Sequence, residues 1–505
     1  MQIVTQLLQR PGAIQGSTVG KGKGAGQEVT PFSRYEYVIR KTDKFWRRQA
    51  MGQHVNVGDI INRSPISPIQ ILVLSLGVAV ALIDGFDTSS ISFALSSIAA
   101  DWKVKPQAFA PALTAGLFGL MIGAMAMGQL GDKIGRKPMT IAATIIFGIS
   151  TLAIAFVRDV DDLFWVRLVG GVGLGGVLPN ITTIVADYAP EHRRRTAVMI
   201  VIGAIAAGAS LGGILASYMI PVFGWRLIFI IGGLVSLVMA LVCQVLLPES
   251  PLFLATRNSS DPRVGHILKR ISPKTVAGAD AIFIAHIGQE RRASLSRLFA
   301  AGRAPVTCLL WLSMVNQFVM VYIFALWQPT LVRESGNPIA VSIFASALFP
   351  LGGLVGSLVL GPISERIGPH LTLSASYAFV AIASAALSFS GTNLMLLYPA
   401  SFLAGMFAFG AWSALTALVT KYYPPEIRAT GVGYASGIGR FGSMLSPWVV
   451  GIALAAGWKA PQILLLPIIP ATVAAICVVG VGFLRERLAD DDGSKLITAM
   501  ELPVR

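Results

Sequence analysis

Long apolar runs alternate with short polar, glycine-rich turns along most of this 505-residue chain. A helix needs about 20 apolar residues to cross the hydrocarbon of a bilayer. Twelve runs meet that length: 69–97, 107–131, 138–157, 161–186, 196–221, 225–247, 304–332, 338–363, 369–390, 393–420, 428–457 and 461–484. The longest gap, 248–303, is polar and basic and divides six runs from six. Its Asp261-Pro262, Ser272-Pro273 and Arg291-Arg292 pairs mark a soluble linker with room for one or two amphipathic helices. The pattern predicts an all-α membrane protein of twelve transmembrane helices. One six-helix half occupies 66–247 and the other 304–487, with the linker 248–303 between them and tails at 1–65 and 488–505. The first tail is rich in Gly, Gln and basic residues without a sustained period, and is expected to be disordered.

The polar turns repeat. Gly128–Lys137 reads GQLGDKIGRK, and Gly361–His370 reads GPISERIGPH with the acid and the base in the same places. Tyr188–Thr196 (YAPEHRRRT) is matched at nearly the same offset by Tyr422–Thr430 (YYPPEIRAT). Two matches at one spacing imply duplicated, pseudo-symmetric halves. Two parallel halves with a site between them are a plan of transporters.

Composition agrees with the membrane class. The chain is 54% hydrophobic and 13% charged, against about 25% charged residues in soluble domains. A net charge of +15 would suggest a nucleic-acid partner, but its distribution excludes one. Lys103, Lys105, Arg158, Arg333 and Lys459 fall in the odd-numbered loops, Arg226 falls at the edge of its run beside such a loop, and Arg167 and Arg440 fall well within runs. The other Lys and Arg residues lie in the tails and the even-numbered loops. Basic loops stay in the cytoplasm, so both tails and the linker are expected there. Met1–Arg10 is too short and polar for a signal-peptide core. Residues 1–50 are expected to be dispensable, with Met51 a possible start. A chain beginning at Met51 that failed to insert or transport would refute this.

Cys243, Cys308 and Cys477 lie in apolar segments without a Cys-x-x-Cys pair, so neither a disulfide framework nor a metal is expected. The five histidines lie in loops or at the edge of a run. Gly171–Gly176 fits G-x-G-x-x-G, but no strand precedes it, and its glycines read as helix-packing positions.

Charges inside a bilayer cost at least about 2.5–3.5 kcal/mol each and usually have a function. Four lie well inside runs: Asp84, Asp87, Arg167 and Arg440. At ~1.5 Å per residue, Asp84 and Asp87 sit roughly 15–20 Å below the outer end of the first run, and Arg440 about 18 Å from Arg428. An aspartate poised between desolvation and a nearby cation can take up and release a proton. Asp84 and Asp87 are therefore candidate proton carriers and Arg167 the group that tunes one of them; a fixed buried ion pair is the alternative. Arg440 has no embedded acid in its own half and suits a substrate carboxylate, which arginine binds with two parallel hydrogen bonds. The alternatives are helix carbonyls, or Asp84 or Asp87 across the cavity. Phe86, Trp327, Phe409 and Trp412 could hold a ring, and Asn180, Asn316, Gln317 and Gln328 could bond its hydroxyls.

In the loop after run 2, Gly128, Gly131 and Gly135 permit a tight reversal, while Asp132, Arg136 and Lys137 can form ion pairs. A pair present in only one of two states biases that state. This loop resembles the signature of the major facilitator superfamily, and the resemblance extends over about 55–487. Asp84–Asp87 (DGFD) resembles the D-G-x-D signature of its aromatic acid:proton symporters. Arg167–Asn180 resembles their R-(x)n-GxGxGGxxPN run. Tyr423-Pro424, Ile427–Gly433 and Gly437–Gly442 resemble their junction of spans 10 and 11. Trp412 stands where a polar amide is expected. The resemblance implies the major facilitator fold and proton-coupled uptake of a small aromatic carboxylate by alternating access. It implies a bacterial inner membrane, a chain working as a monomer, and no cofactor beyond the coupling proton. Alternatives are another solute class, such as sugars or dicarboxylates, or drug export by proton antiport. Gly208–Gly213 (GASLGG) lacks the proline of drug antiporters, which disfavours export. Pro248–Phe253 (PESPLF) resembles sugar porters, but their ending after the last span is missing at Phe483–Arg487. No nucleophile–base pair or phosphate loop points to an enzyme.

Overall fold

The computed structural model describes residues 54–273, 281–284, 295–300 and 302–500, with side chains in the last stretch described to Leu484. Residues 1–50, and the expectation that translation starts at Met51, lie outside the described residues. Among the described residues, 12 helices are long and apolar enough to cross a membrane. They are α1 (Pro68–Trp102), α2 (Ala110–Ile134), α3 (Arg136–Ile154), α4 (Val160–Tyr188), α5 (Glu191–Phe223) and α6 (Trp225–Leu246), then α7 (Ala304–Glu334), α8 (Ile339–Ile367), α9 (Pro369–Ser390), α10 (Leu394–Tyr422), α11 (Pro425–Ala455) and α12 (Ala460–Leu484). The protein is thus a multi-pass membrane protein. Several helices outrun their apolar runs: α5 begins at Glu191, five residues before its run, because a helix can continue with polar residues into the headgroup region. The two related loops turn alike, at Gly135 (φ +124°) and Gly368 (φ +94°), a backbone region that residues with a Cβ rarely adopt.

Packing repeats with the sequence. In the first half α2 and α3 pack on α4, α1 on α5, and α3 on α6. In the second half α8 and α9 pack on α10, α7 on α11, and α9 on α12. Helices in lipid associate through close contact rather than hydrophobic exclusion, so small residues line the tightest seams. Gly119 and Gly123 of α2 face the carbonyls of Leu168 and Val172, and Gly171 and Gly175 of α4 face those of Gly116 and Leu120. A Cβ at any of the four would collide with backbone. The G-x-G-x-x-G run is thus a packing surface.

The halves meet through α5 with α8, α2 with α11, and α1 with α7. Most of the polar contacts between them lie away from the face that carries the Gly128–Lys137 loop, here called the basic face. Arg333 Nη1 donates to Ser96 Oγ (3.2 Å), Thr114 Oγ1 to the Met444 carbonyl (3.4 Å) and Ser210 Oγ to the Ala347 carbonyl (2.5 Å). At the basic face the halves are bridged by Arg195 and Glu365 at 3.9 Å, with side chains 84% and 71% exposed. Gly433 and Gly437 of α11 face open space.

Val57–Arg63, expected within a disordered tail, instead forms a helix with Val57 and Ile61 buried. It packs against linker helices Pro251–Arg257 and Pro262–Ile271, whose Leu254, Val264, Leu268 and Ile271 share the same apolar cluster. The isoleucine and valine spacing of Val57–Arg63 gives it an apolar face, and the linker helices cover that face.

Candidate functional site

Asp84 and Asp87 lie one turn apart on α1, which puts both on related faces of the helix. They are 7% and 3% exposed, and Arg167 of α4 is 8% exposed. The hydroxyl of Thr151 on α3 donates to Asp87 Oδ1. Arg167 lies over Gly116 of α2: a Cβ there would come within 2.9 Å of Nη2 and 3.0 Å of Nε. Arg167 and Asp87 attract each other electrostatically but form no contact ion pair among the described residues. Asp84 has neither a hydrogen bond nor an ion pair within the described protein, and Arg167 Nε is unpartnered. The group is therefore not a closed ion pair locked for packing. It holds two carboxyls and one guanidinium, with Asp87 Oδ1 taken by Thr151 and the Asp84 carboxyl and Arg167 Nε without a partner among the described residues.

In the other half, Arg440 on α11 is half-buried, and its guanidinium meets no acid and no carbonyl among the described residues. The helix-carbonyl and cross-cavity aspartate alternatives are not realised. Next to it, Gly439 seats the ring of Phe318 from α7; a Cβ there would stand 2.9 Å from that ring. Phe318 continues an aromatic shelf: its centroid lies 4.8 Å from Trp412, which stacks on Phe409 at 5.9 Å and 22°. Phe349 of α8 extends it, 5.6 Å from Phe409. One helical turn along α7, Tyr322 stacks on Phe318 at 6.2 Å and 8°. The structure brings Trp412 and Phe409 together on this shelf, with Arg440 one residue from Gly439 at its edge, and it adds Tyr322 to the shelf and Thr151 to the aspartates. Neither of those two is charged, so neither carries the cost that marks an embedded ion in a sequence.

Other expected residues lie elsewhere. Phe86 sits between Asp84 and Asp87 in sequence, but its ring is wedged at Gly212 of α5 and Gly232 of α6. Trp327 is fully buried, with its Nε1 unpartnered. Asn180 donates to the Met127 (3.2 Å) and Gly176 (2.8 Å) carbonyls and abuts Gly131. It belongs to the α2–α4 seam at the signature loop. Gln317 is buried and donates to the Ala408 carbonyl (2.8 Å), and Gln328 to Ser401 Oγ (2.8 Å); both Oε1 atoms are unpartnered. Asn316 is half-buried and bonds its own helix at the Leu312 carbonyl (2.8 Å).

The loop itself is anchored within the first half. Arg136 pairs with Asp187 of α4 and reaches Asp132 at 3.5 Å. Glu249, just beyond α6, accepts from the backbone N–H groups of Arg136 (3.2 Å) and Lys137 (3.3 Å), and so caps the positive end of α3. Lys137 Nζ donates to the Gln244 carbonyl (2.8 Å), and Ser250 Oγ to Asp187 (2.5 Å). Asp132 is 66% exposed. It lines a cavity of ≈ 310 Å³ with Gly128, Gln129, Arg136, Asn180 and Thr183. The repeat is less well tied: Gly368 has open space around it, and His370 Nδ1 lies 3.2 Å from the Val478 carbonyl. No group of His, Cys, Asp and Glu able to hold a metal occurs among the described residues.

Comparison with known proteins agrees with this architecture. A family model described as Major Facilitator Superfamily matches residues 77–343 and 309–498. The 4-hydroxybenzoate transporter PcaK of Pseudomonas putida is 33% identical over 86% of this chain and 97% of its own length. The gallate transporter of Pseudomonas putida is 34% identical over 86% and 96%. The benzoate transport protein of Acinetobacter baylyi is 29% identical over 78% and 90%. Among solved structures, an inward-facing, occupied bacterial homolog of the human lysosomal transporter Spinster superposes with a TM-score of 0.65 at 16% identity, covering 83% of this chain and 98% of that one. The D-xylose-proton symporter superposes with 0.63 at 16%, covering 81% and 97%. With twelve spans in two repeated halves and this kinship along most of its length, the chain belongs to the Major Facilitator Superfamily as a membrane transporter related to aromatic acid transporters, and not an enzyme.

Proposed function

We propose that the protein takes up a small aromatic carboxylate with protons, by alternating access across a bacterial cytoplasmic membrane. The observation that carries the reading is Arg440: an embedded guanidinium without an acid partner among the described residues, next in sequence to Gly439, which seats the Phe318 end of the Phe318–Trp412–Phe409 shelf. A guanidinium matches a carboxylate in two parallel hydrogen bonds, and an aromatic face suits a planar ring. The names of the relatives, which transport 4-hydroxybenzoate, gallate and benzoate, support the same solute class.

In this reading the basic face is cytoplasmic, since Lys and Arg concentrate there, and both termini lie on that side. The outward-open state admits a proton to Asp84 or Asp87 and the anion to Arg440. Neutralising these charges lowers the cost of closing them away from water. The halves then rock about the central site, and the Gly128–Lys137 loop biases which side is open. Arg167 holds Asp87 responsive to charge, while Asn316 and Gln317 bond helix carbonyls and support the helices. Phe86, Trp327 and Asn180 support the helices around the site. One chain is the working unit. The test is uptake of labelled benzoate, hydroxybenzoates, gallate and a sugar control into proteoliposomes, with and without an imposed pH gradient. Accumulation of an aromatic acid only with the gradient is expected. Sugar uptake, or gradient-independent accumulation, would refute the reading.

A further inference from the structure

Asp84 and Asp87 stand one turn apart on α1, and both are buried. Two carboxyls this close in a water-poor site oppose each other's ionisation, so the one with the better donors keeps the negative charge. Their surroundings differ. Asp87 Oδ1 accepts the hydroxyl of Thr151, while the Asp84 carboxyl has no partner among the described residues. The Thr151 bond is not the ordinary one for a threonine inside a helix, which donates to the carbonyl one turn back. Thr140 and Thr144 of the same helix do that, at 2.9 and 2.8 Å. Thr151 instead turns its hydroxyl across to α1. Its methyl faces α6, where a Cβ on Gly232 would lie 3.4 Å from Thr151 Cγ2. The residue is buried, so packing fixes the direction of its hydroxyl.

We propose that Thr151 is a positioning residue that keeps the negative charge of the pair on Asp87 and so leaves Asp84 as the proton carrier; this rests on the function proposed above and deepens it. A hydroxyl that donates to a carboxylate forms a charge-assisted bond, about twice as strong as a neutral one. Protonation of Asp87 would forfeit that strength, so the bond favours the ionised acid. Ionised Asp87 in turn opposes ionisation of Asp84, whose carboxyl has no donor of its own. The transported proton adds to an Asp84 oxygen on one side of the membrane and leaves the same oxygen on the other; Asp87 and Thr151 exchange none. The helices packed most on α1 are α4, α5, α6 and α7. Of their charged or titratable side chains, Arg167 of α4 and Tyr322 of α7 lie deepest, and the others lie nearer the helix ends. The faces of α5 and α6 that meet this stretch, at Ile205, Gly208, Gly212 and Gly232, bring no ionisable side chain. On α3, Arg136 and Lys137 occupy the first turn, far from Thr151.

The full chain, purified and reconstituted, would be titrated by infrared difference spectroscopy, which reads the carbonyl stretch of a buried protonated carboxyl without any substrate. That signal should vanish in Asp84→Asn and persist in Asp87→Asn, there at lower pH because the opposing charge is gone. Thr151→Val keeps the side-chain shape and removes the donor. A second buried carboxyl should then take up a proton, at a pH about one to two units above that of Asp87 in the wild type, and Thr151→Ser should restore the wild-type titration. Uptake of 4-hydroxybenzoate across the same pH range should show the consequence: its acidic limb moves to higher pH in Thr151→Val by the same shift. A signal that persists in Asp84→Asn and vanishes in Asp87→Asn would reverse the assignment and overturn the proposal. A Thr151→Val titration identical to the wild type would overturn it as well. Accumulation that needs no pH gradient, with the infrared pattern as expected, would overturn the symport reading and still confirm that Thr151 places the charge.

Discussion

Arg440 separates a substrate-binding group from a structural one, because the two roles predict opposite stability effects. Its guanidinium meets no acid or carbonyl among the described residues. Breaking a buried ion pair costs about 3–5 kcal/mol, since the abandoned partner stays charged and dry. Arg440→Gln abandons no such partner, so the ligand-free protein should melt at or slightly above the wild-type temperature. Binding should respond differently. A hydrogen bond to a charged group contributes about 1.5–3 kcal/mol. Arg440→Lys keeps the charge but loses one of two parallel bonds, which weakens aromatic carboxylate affinity about ten- to hundredfold at 1.4 kcal/mol per decade. Arg440→Gln loses charge and fork together and should bind more weakly still. Thermal unfolding of the purified protein reads both quantities in one assay. At a ligand concentration of about 100 times Kd the wild type gains about 2.7 kcal/mol, and in Arg440→Gln that gain should vanish. Wild-type affinity in Arg440→Lys, or a sharply lowered melting temperature for ligand-free Arg440→Gln, would refute the assignment.

Asp84→Asn and Asp87→Asn should each lose gradient-driven accumulation in proteoliposomes; full accumulation in both would remove them as carriers. Gly116→Ala places a methyl within about 3 Å of the Arg167 guanidinium, a flexible neighbour. It should impair gradient-driven uptake with little change in melting temperature, whereas Gly119→Ala meets the Leu168 backbone carbonyl and should lower stability outright; equal stability losses would contradict this. Glu249→Ala uncaps α3 by freeing the N–H groups of Arg136 and Lys137. A cost of about 0.5–2 kcal/mol is expected, read as a lower melting temperature, and an unchanged melting curve would show that water serves the helix end equally well.

By itself the sequence determined the number of crossings, the two repeated halves and the four embedded charges. These were legible because the bilayer imposes a length on every crossing and a large cost on every ion, so both stand out residue by residue. The helix outside the membrane at Val57–Arg63 was missed, since seven residues carry too little periodic signal and its apolar face is completed by the distant linker. Tertiary structure alone decided which way side chains turn within helices that are apolar all round. Phe86 shares a signature with Asp84 and Asp87 yet rotates away to Gly212 and Gly232. Asn180, polar and deep in α4, serves the seam at Gly131. Thr151 reaches Asp87, and Tyr322 joins the aromatic shelf, from helices far off in sequence, and an uncharged hydroxyl carries no penalty large enough to announce it. A helix with no polar stripe gives no sign of its rotation; only the neighbours packed around it decide which residues meet at the centre.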